Sequence, residues 1–303
     1  GGFSGAQVFI GRSDGEPARV YKVGPRDEIA GERFGNERVR RVLGDVVPRL
    51  LAWQEGTELA GMKLELAERS NEKLNGPLTF KQLYEADPSE AATTLLERTL
   101  DQVLDGALGR FYRVAEKDNA DLLELYGFVD RQGRARFGES VNRKVEAVAR
   151  ECGFASAAKL LESAEWQGSW MAPAEFYGKW LPGRSMTREV LPSLVHGDLN
   201  LANILLTHTA EASAPERVWI IDFARLQRLP NLTDFAKIEN DLSYILWKVE
   251  DEAAFKRAQR LQEIRLGGGQ LELPELLEEA QTPQEKRYAR LMGLLRGIAA
   301  RVA

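Results

Sequence analysis

The chain has almost no cysteine, few histidines and no long hydrophobic run. Cys152 is the single cysteine among 303 residues, which excludes an internal disulfide and fits a reducing compartment. The histidines are His196 and His208, and no Cys/His cluster supports a zinc site. No apolar run approaches the ~20 residues of a membrane span, and no charged-then-apolar leader is seen at the N-terminus. We therefore expect a globular cytoplasmic protein that does not bind membranes.

An excess of positive charge is also missing. The 41 lysines and arginines face 46 acidic residues, giving a net charge of −5. A nucleic-acid-binding protein would usually carry a basic surface, so no nucleic-acid partner is expected. Hydrophobic residues make up 44% of the chain, enough for a sizeable core or for two lobes that share a cleft.

A glycine-rich segment, Gly1–Ala6, leads directly into an apolar run at residues 7–10. A loop of this kind joins two strands, and the strand before it is absent. We infer that the chain continues a longer protein with possible additional domains before residue 1; a tag remnant is the alternative. Gly2, Phe3, Ser4 and Gly5 are candidates to lay backbone N–H groups over phosphates, because glycine lets the backbone approach closely.

The hydrophobic pattern changes from mainly strand to mainly helix near residue 67. Residues 18–23, 48–53 and 58–66 predict strands, and residues 27–43 predict a helix with an apolar stripe. Residues 67–77 are polar and predict a linker. Beyond it, helices are predicted over residues 78–85, 89–115, 119–126, 143–151, 156–165, 233–250 and 284–302. The predicted domains are therefore residues 1–66, a linker at 67–77, and residues 78–303.

Three polar side chains lie between apolar runs that predict short strands. Asp198 is followed after four residues by Asn203, and a later strand ends in Asp222. This order is typical of phosphoryl transfer: one carboxylate meets the acceptor hydroxyl, while Asn and the second Asp offer oxygen ligands to magnesium. The alternative is that Asp198 and Asn203 only stabilise a turn, as Asx residues often do.

Lys22 lies near the end of a predicted strand and is followed by a helix. A strand lysine that pairs with an inward glutamate can present its ammonium to phosphates; the alternative is an exposed strand lysine. Glu37 lies on a charged, arginine-rich face of that helix, whereas Glu32 lies on its apolar stripe. A carboxylate that faces the core needs a partner there, so we predict that Glu32 pairs with Lys22.

Two motifs carry a family resemblance. His196–Asn203, HGDLNLAN, and Ile220–Arg225, IIDFAR, resemble the protein-kinase-like superfamily, and specifically its aminoglycoside phosphotransferase branch. His-Gly-Asp in place of His-Arg-Asp is typical of that branch, and the glycine-rich loop, Lys22 and Glu32 match in order. The resemblance implies an α+β, bilobal protein-kinase-like fold. Its small N-terminal lobe would be β-rich with one helix, its larger C-terminal lobe mainly helical, and ATP would bind between them.

The resemblance also implies the role of each site residue. Asp198 corresponds to the catalytic aspartate, Asn203 and Asp222 to the Mg²⁺ ligands, and Lys22 to the phosphate-binding lysine. Residues 62–67 would be the hinge, whose backbone meets adenine near Glu65 and Ala67. The expected activity is ATP- and Mg²⁺-dependent transfer of the γ-phosphoryl group to an unidentified hydroxyl-bearing acceptor, with a small molecule favoured.

Other functions stay open. Residues 222–225 with 233–239 also resemble a bacterial subgroup of kinase-like modules in multidomain conflict or signalling proteins. An ATP-binding regulatory module, or a protein kinase or nucleotidyltransferase acting on a partner, is therefore the alternative. Ala224 replaces the glycine after Asp-Phe of protein kinases, which makes an activation-segment flip less certain. His196 is interpreted as a structural histidine beneath the metal-site segment. The aromatic residues between 116 and 183 form either a stacking wall for substrate or, as we favour, core.

Overall fold

The computed structural model of the chain describes residues 5–11, 19–65, 77–162, 173–208, 213–267 and 274–303. These residues form two compact units, one within 1–116 and 191–303 and the other within 117–190. The lobe boundaries predicted from the sequence stay a prediction, since most of the linker lies outside the described residues. Among the described helices, none has both the length and the apolar character that crossing a bilayer demands.

The N-terminal sheet of the first unit is antiparallel and packs against one helix. Its strands are β1 (Gln7–Gly11), β2 (Arg19–Pro25), β3 (Leu50–Glu55) and β4 (Leu59–Glu65), in the order β1-β2-β4-β3. Helix α1 (Arg26–Leu43) follows β2 directly. Alternate residues of β4, Ala60, Met62 and Leu64, are buried together with Ile29 of α1, as expected of a strand with one face toward the core.

The remaining elements follow in chain order. The strands are β5 (Leu78–Thr79), β6 (Asp118–Asp121), β7 (Thr187–Val190), β8 (Pro192–Val195), β9 (Ile204–Thr207), β10 (Arg217–Ile220) and β11 (Gln227–Pro230). The helices are α2 (Phe80–Ala86), α3 (Glu90–Leu100), α4 (Gly109–Tyr112), α5 (Leu122–Leu125), α6 (Gly138–Glu151), α7 (Ala157–Leu161), α8 (Pro173–Glu175), α9 (Thr233–Asn240), α10 (Glu252–Gly267), α11 (Pro274–Glu279) and α12 (Pro283–Val302). The predicted α+β class is confirmed: a small antiparallel sheet with one helix precedes a mainly helical part, as in a protein-kinase-like fold.

Two small sheets carry the segments that matter for function. β9 pairs with both β10 and β5, and β8 pairs with β11, all antiparallel. The loop from residue 196 to 203 connects β8 to β9, and Asp222 follows β10. Helix α12 is bonded to α2 and α3: Arg287 donates to Thr93 Oγ1 at 3.0 Å and to the Tyr84 carbonyl at 2.8 Å.

Several predicted helix boundaries were wrong. The helix predicted from Leu78 begins only at Phe80, because Leu78 and Thr79 pair with β9 and the Thr79 side chain caps α2. The helix predicted over 119–126 is instead β6 followed by one helical turn. β6 pairs with β7, far along the chain, and the Asp121 side chain caps the turn by accepting from Leu123 N. The helix predicted over 233–250 ends at Ile245 after a π-helical stretch.

Three of the aromatic residues weighed from the sequence as a substrate wall or as core are described, and all three pack against the core of the second unit. Phe176, Tyr177 and Trp180 pack against the buried cluster of Leu123, Val129 and Leu181. Phe176 and Trp180 stack with ring centroids 5.1 Å apart. This agrees with the core interpretation; Trp166 and Trp170 lie outside the described residues.

Candidate active site

Lys22 projects from β2 toward α1 and pairs with Glu32. Both side chains are largely buried, at 12% and 8% exposure. The Lys22 ammonium also lies 3.5 Å from Asp222 Oδ1. Glu37, the competing partner, instead accepts from Arg33 Nε at 3.1 Å on the helix surface. Of the two glutamates weighed from the sequence, the structure therefore places Glu32 on the lysine.

One ammonium is thus shared between two carboxylates. Burial lowers the pKa of Lys22, but Glu32 and Asp222 outweigh it and raise that pKa above its ordinary value. Burial raises the pKa of Glu32 to about 7 against the pull of Lys22, and the nearby Asp222 charge adds to the rise. With both carboxylates ionised the cluster carries one uncompensated negative charge, which favours an added cation.

Asp222 has a left-handed backbone, with φ of 67°. It is the one non-glycine residue with positive φ among the described residues. Such a conformation costs about 1–3 kcal/mol and persists where the surroundings enforce it. Here Phe223, which is buried, packs its ring on His196 with centroids 4.6 Å apart. The strain and this packing fix the direction of the Asp222 carboxylate.

Helix α1 contacts the segment after Asp222 closely at Gly35. A Cβ atom on Gly35 would lie 2.3 Å from the Phe223 carbonyl oxygen, so any side chain would displace the helix or the segment. The same helix carries Glu32. The close approach at Gly35 therefore holds the Lys22–Glu32 pair against Asp222.

The loop that begins at His196 is held by a buried carboxylate of α9. Asp234 is fully buried and accepts from His196 N at 2.8 Å and from Gly197 N at 2.9 Å. Tyr112 Oη donates to the same carboxylate at 2.8 Å. Three donors on one buried carboxylate fix the backbone immediately before Asp198.

The His196 side chain has a defined role and tautomer. It is fully buried, with Nε2 2.9 Å from the Ile221 carbonyl oxygen. A carbonyl only accepts, so Nε2 carries the proton; Asp198 N–H only donates, so Nδ1, 3.3 Å away, is the acceptor. His196 therefore ties the Asp198 loop to the residue before Asp222 and is structural, as the sequence suggested.

Gly197 shows why glycine replaces arginine in this motif. Its φ is 80°, and a Cβ atom would lie 2.3 Å from the Arg225 carbonyl oxygen. A side chain at this position would clash with the segment after Asp222. The His-Gly-Asp sequence is thus required by the close packing of two loops.

Asn203 connects the Asp198 loop to Ile221, the residue before Asp222, through hydrogen bonds. Its Nδ2 donates to the Asp198 carbonyl at 3.0 Å, and its own carbonyl accepts from Ile221 N at 3.0 Å. The Asx turn in this loop is made by Asn200, whose Oδ1 accepts from Ala202 N at 3.0 Å. The Asn203 side chain also stabilises this loop through Nδ2, so its role as a metal ligand stays a prediction.

These residues fit a magnesium ion. Because the Asn203 amide nitrogen is engaged with Asp198, its oxygen is the atom that it can offer to a cation, together with the Asp222 carboxylate. Oxygen ligands beside a negatively charged cluster are the set that Mg²⁺ prefers, with the remaining positions filled by water or phosphate.

Two functional candidates were missed from the sequence, Asp234 and Lys237. The Lys237 ammonium lies 3.0 Å from Asp198 Oδ1 and pairs with it. Asp241, one helical turn after Lys237, accepts from Leu201 N at 2.9 Å, and burial raises the pKa of Asp241. The sequence offered the resemblance of residues 233–239 to a subgroup of kinase-like modules, but that resemblance assigned no role to Lys237.

The predicted nucleotide-contacting residues are only partly described. Gly2, Phe3, Ser4 and Ala67 lie outside the described residues. Gly5 is exposed, with φ of 64°. Glu65 ends β4, and its backbone N–H donates to the Arg49 carbonyl at 2.9 Å. Their roles toward nucleotide stay predictions.

Comparisons with known proteins place the chain in a family. The model of the ternary complex associated domain 9 family matches residues 1–167 and 167–303. No curated protein matches the chain. Among solved structures, an aminoglycoside-3'-phosphotransferase of type VIII is similar at 17% identity and a TM-score of 0.40, over 97% of this chain and 90% of that one.

Two further structures are of a thermostable mutant of the aminoglycoside phosphotransferase APH(4)-Ia. The apo form has 14% identity and a TM-score of 0.42, over 97% of this chain and 84% of that one. A ternary complex with AMP-PNP and hygromycin B has 13% identity and a TM-score of 0.43, over 100% and 91%. Because the family model covers nearly the whole sequence, the chain belongs to the ternary complex associated domain 9 family.

Proposed function

We propose that the chain is a phosphotransferase that uses ATP and Mg²⁺ and transfers the γ-phosphoryl group to a hydroxyl. The observation that carries the proposal is one connected cluster. Lys22 contacts Glu32 and Asp222, and the Asn203 backbone and His196 ring link the Asp222 segment to the Asp198 loop. Neutralising polyphosphate charge and aligning an acceptor oxygen are the two requirements of this chemistry.

Each side chain has a task in this scheme. Lys22, held by Glu32, presents its ammonium to the phosphates. Asp222 and Asn203 would hold Mg²⁺, which supplies charge neutralisation on the transferring group when bound. Asp198 orients the acceptor hydroxyl and accepts its proton. Lys237 holds the Asp198 carboxylate in place through its 3.0 Å contact.

Two separate features bear on the class of acceptor, and they favour different classes. The resemblance of the two motifs to aminoglycoside phosphotransferases favours a small molecule with a free hydroxyl. The family description, a domain associated with a ternary complex, favours a protein partner. The second candidate function is therefore regulation or modification of such a partner. The retained Asp198 argues for transfer, because a module that only binds nucleotide has no need of that carboxylate.

An ATP-consumption screen over small hydroxyl compounds tests the proposal, with Asp198→Ala as the blank. We expect activity in the unaltered chain and none in the variant, while Asp222→Ala weakens Mg-nucleotide binding. Full activity in Asp198→Ala would overturn the assignment. Intact-mass analysis of a partner protein separates the second candidate, since phosphoryl transfer adds about 80 Da and adenylyl transfer about 329 Da.

A further inference from the structure

A second concave site lies outside the proposed active site. A cavity of about 370 Å³ is formed by the second half of α1 and the residues at the start of β3. It is lined by Asn36, Glu37, Arg40, Arg41, Arg49 and Leu50. None of Lys22, Asp198, Asn203 or Asp222 is among these residues. The volume lies at the small end of the range for ligand pockets in proteins and suits a small molecule.

The walls of the cavity carry an excess of positive charge. Three arginines face one glutamate, a net charge of 3 − 1 = +2, in a chain whose overall charge is −5. The glutamate, Glu37, is already paired with Arg33. Arg40 is partly engaged, because it pairs with Asp45 and donates to the Val47 carbonyl.

Arg41 and Arg49 are the free cations of this group. Both are exposed, and within the described residues neither side chain has a hydrogen bond or an ion pair. Both carry the same charge on the wall of one cavity, and an anion bound there reduces their mutual repulsion. Their planar forks match phosphate with two parallel hydrogen bonds.

We propose that this cavity binds a phosphorylated small molecule. Its phosphate group lies between Arg41 and Arg49. The site is separate from the proposed phosphoryl-transfer site and does not depend on it.

Calorimetric titration of the full chain with glycerol 3-phosphate and with inorganic phosphate tests the proposal. We expect saturable binding of both, because the phosphate group is the part that Arg41 and Arg49 recognise. No saturable binding of either would overturn the site.

Matched variants locate the binding. R41A/R49A should weaken the affinity for glycerol 3-phosphate at least tenfold. R38A/R217A removes the same two charges from exposed positions outside the cavity and should leave the affinity unchanged. Equal losses in R41A/R49A and R38A/R217A would overturn the proposal whether or not the chain transfers phosphate.

Discussion

The Glu32→Gln substitution tests how the Lys22 cluster is charged. Burial and the Asp222 charge raise the pKa of Glu32 from 4.5 to about 7. Between those two values the folded chain holds a proton on Glu32 that the unfolded chain has released. The free energy of unfolding therefore falls as the pH rises through this window. Glutamine keeps the shape of the side chain and cannot titrate, so the fall disappears in the variant.

The size of the effect follows from the shift. A change of about 2.5 pKa units at about 1.36 kcal/mol each is about 3 kcal/mol in total, most of which is lost between pH 5 and pH 8. The unfolding free energy of Glu32→Gln minus that of the unaltered chain should therefore rise by most of that amount between pH 5 and pH 8. Urea unfolding followed by circular dichroism at several pH values measures it.

The control for this experiment is Glu37→Gln on the same helix. Glu37 is half-buried at the surface and paired with Arg33, so its removal should leave the pH dependence of the unaltered chain in place. If the unfolding free energies of the unaltered chain and Glu32→Gln run parallel from pH 5 to pH 8, the charge assignment of the cluster is wrong.

Three further substitutions probe the loops around Asp198. Lys237→Met should slow ATP turnover about 10- to 100-fold without weakening nucleotide binding, because the Asp198 carboxylate loses its positioning contact. Lys237→Arg should recover part of the rate, and steady-state kinetics measures both. Gly197→Ala should lower the free energy of unfolding in urea by about 3 kcal/mol or more, since its Cβ would meet the Arg225 carbonyl. An unchanged urea midpoint would refute this close packing. Tyr112→Phe should lower the free energy of unfolding by about 1.5–3 kcal/mol in the same assay, because it removes a hydrogen bond to buried Asp234. A loss under about 0.5 kcal/mol would show that this bond is unimportant.

The part of the site that could be predicted from sequence rests on local order. Glu32 was chosen over Glu37 because a carboxylate on an apolar stripe needs a partner, and the structure pairs it with Lys22. That choice uses spacing within one helix, where periodicity determines which side chains share a face. The sequence analysis also favoured a structural role for His196, whose buried ring contacts Ile221 and Asp198.

The missed features depend on distant residues. Asp234 is 38 residues from the His196 amide that it accepts from, and its start-of-helix position looks like an ordinary cap. Residues 119–126 look helical, yet Asp118–Asp121 pair with β7 almost seventy positions along the chain. Strand pairing and buried carboxylates of this kind are set by tertiary contacts that hydrophobic periodicity does not encode.

The central claim is that the proposed active site transfers the γ-phosphoryl group. In it Asp198 orients the acceptor hydroxyl, while Lys22, Asn203 and Asp222 hold the nucleotide and its Mg²⁺. The most direct measurement is the rate of ADP formation by Asp198→Asn relative to the unaltered chain, at saturating Mg-ATP and with the best acceptor available. The expected result is a loss of at least about 100-fold with the affinity for Mg-AMP-PNP retained. Asp198→Asn turning over ATP as fast as the unaltered chain would contradict the account.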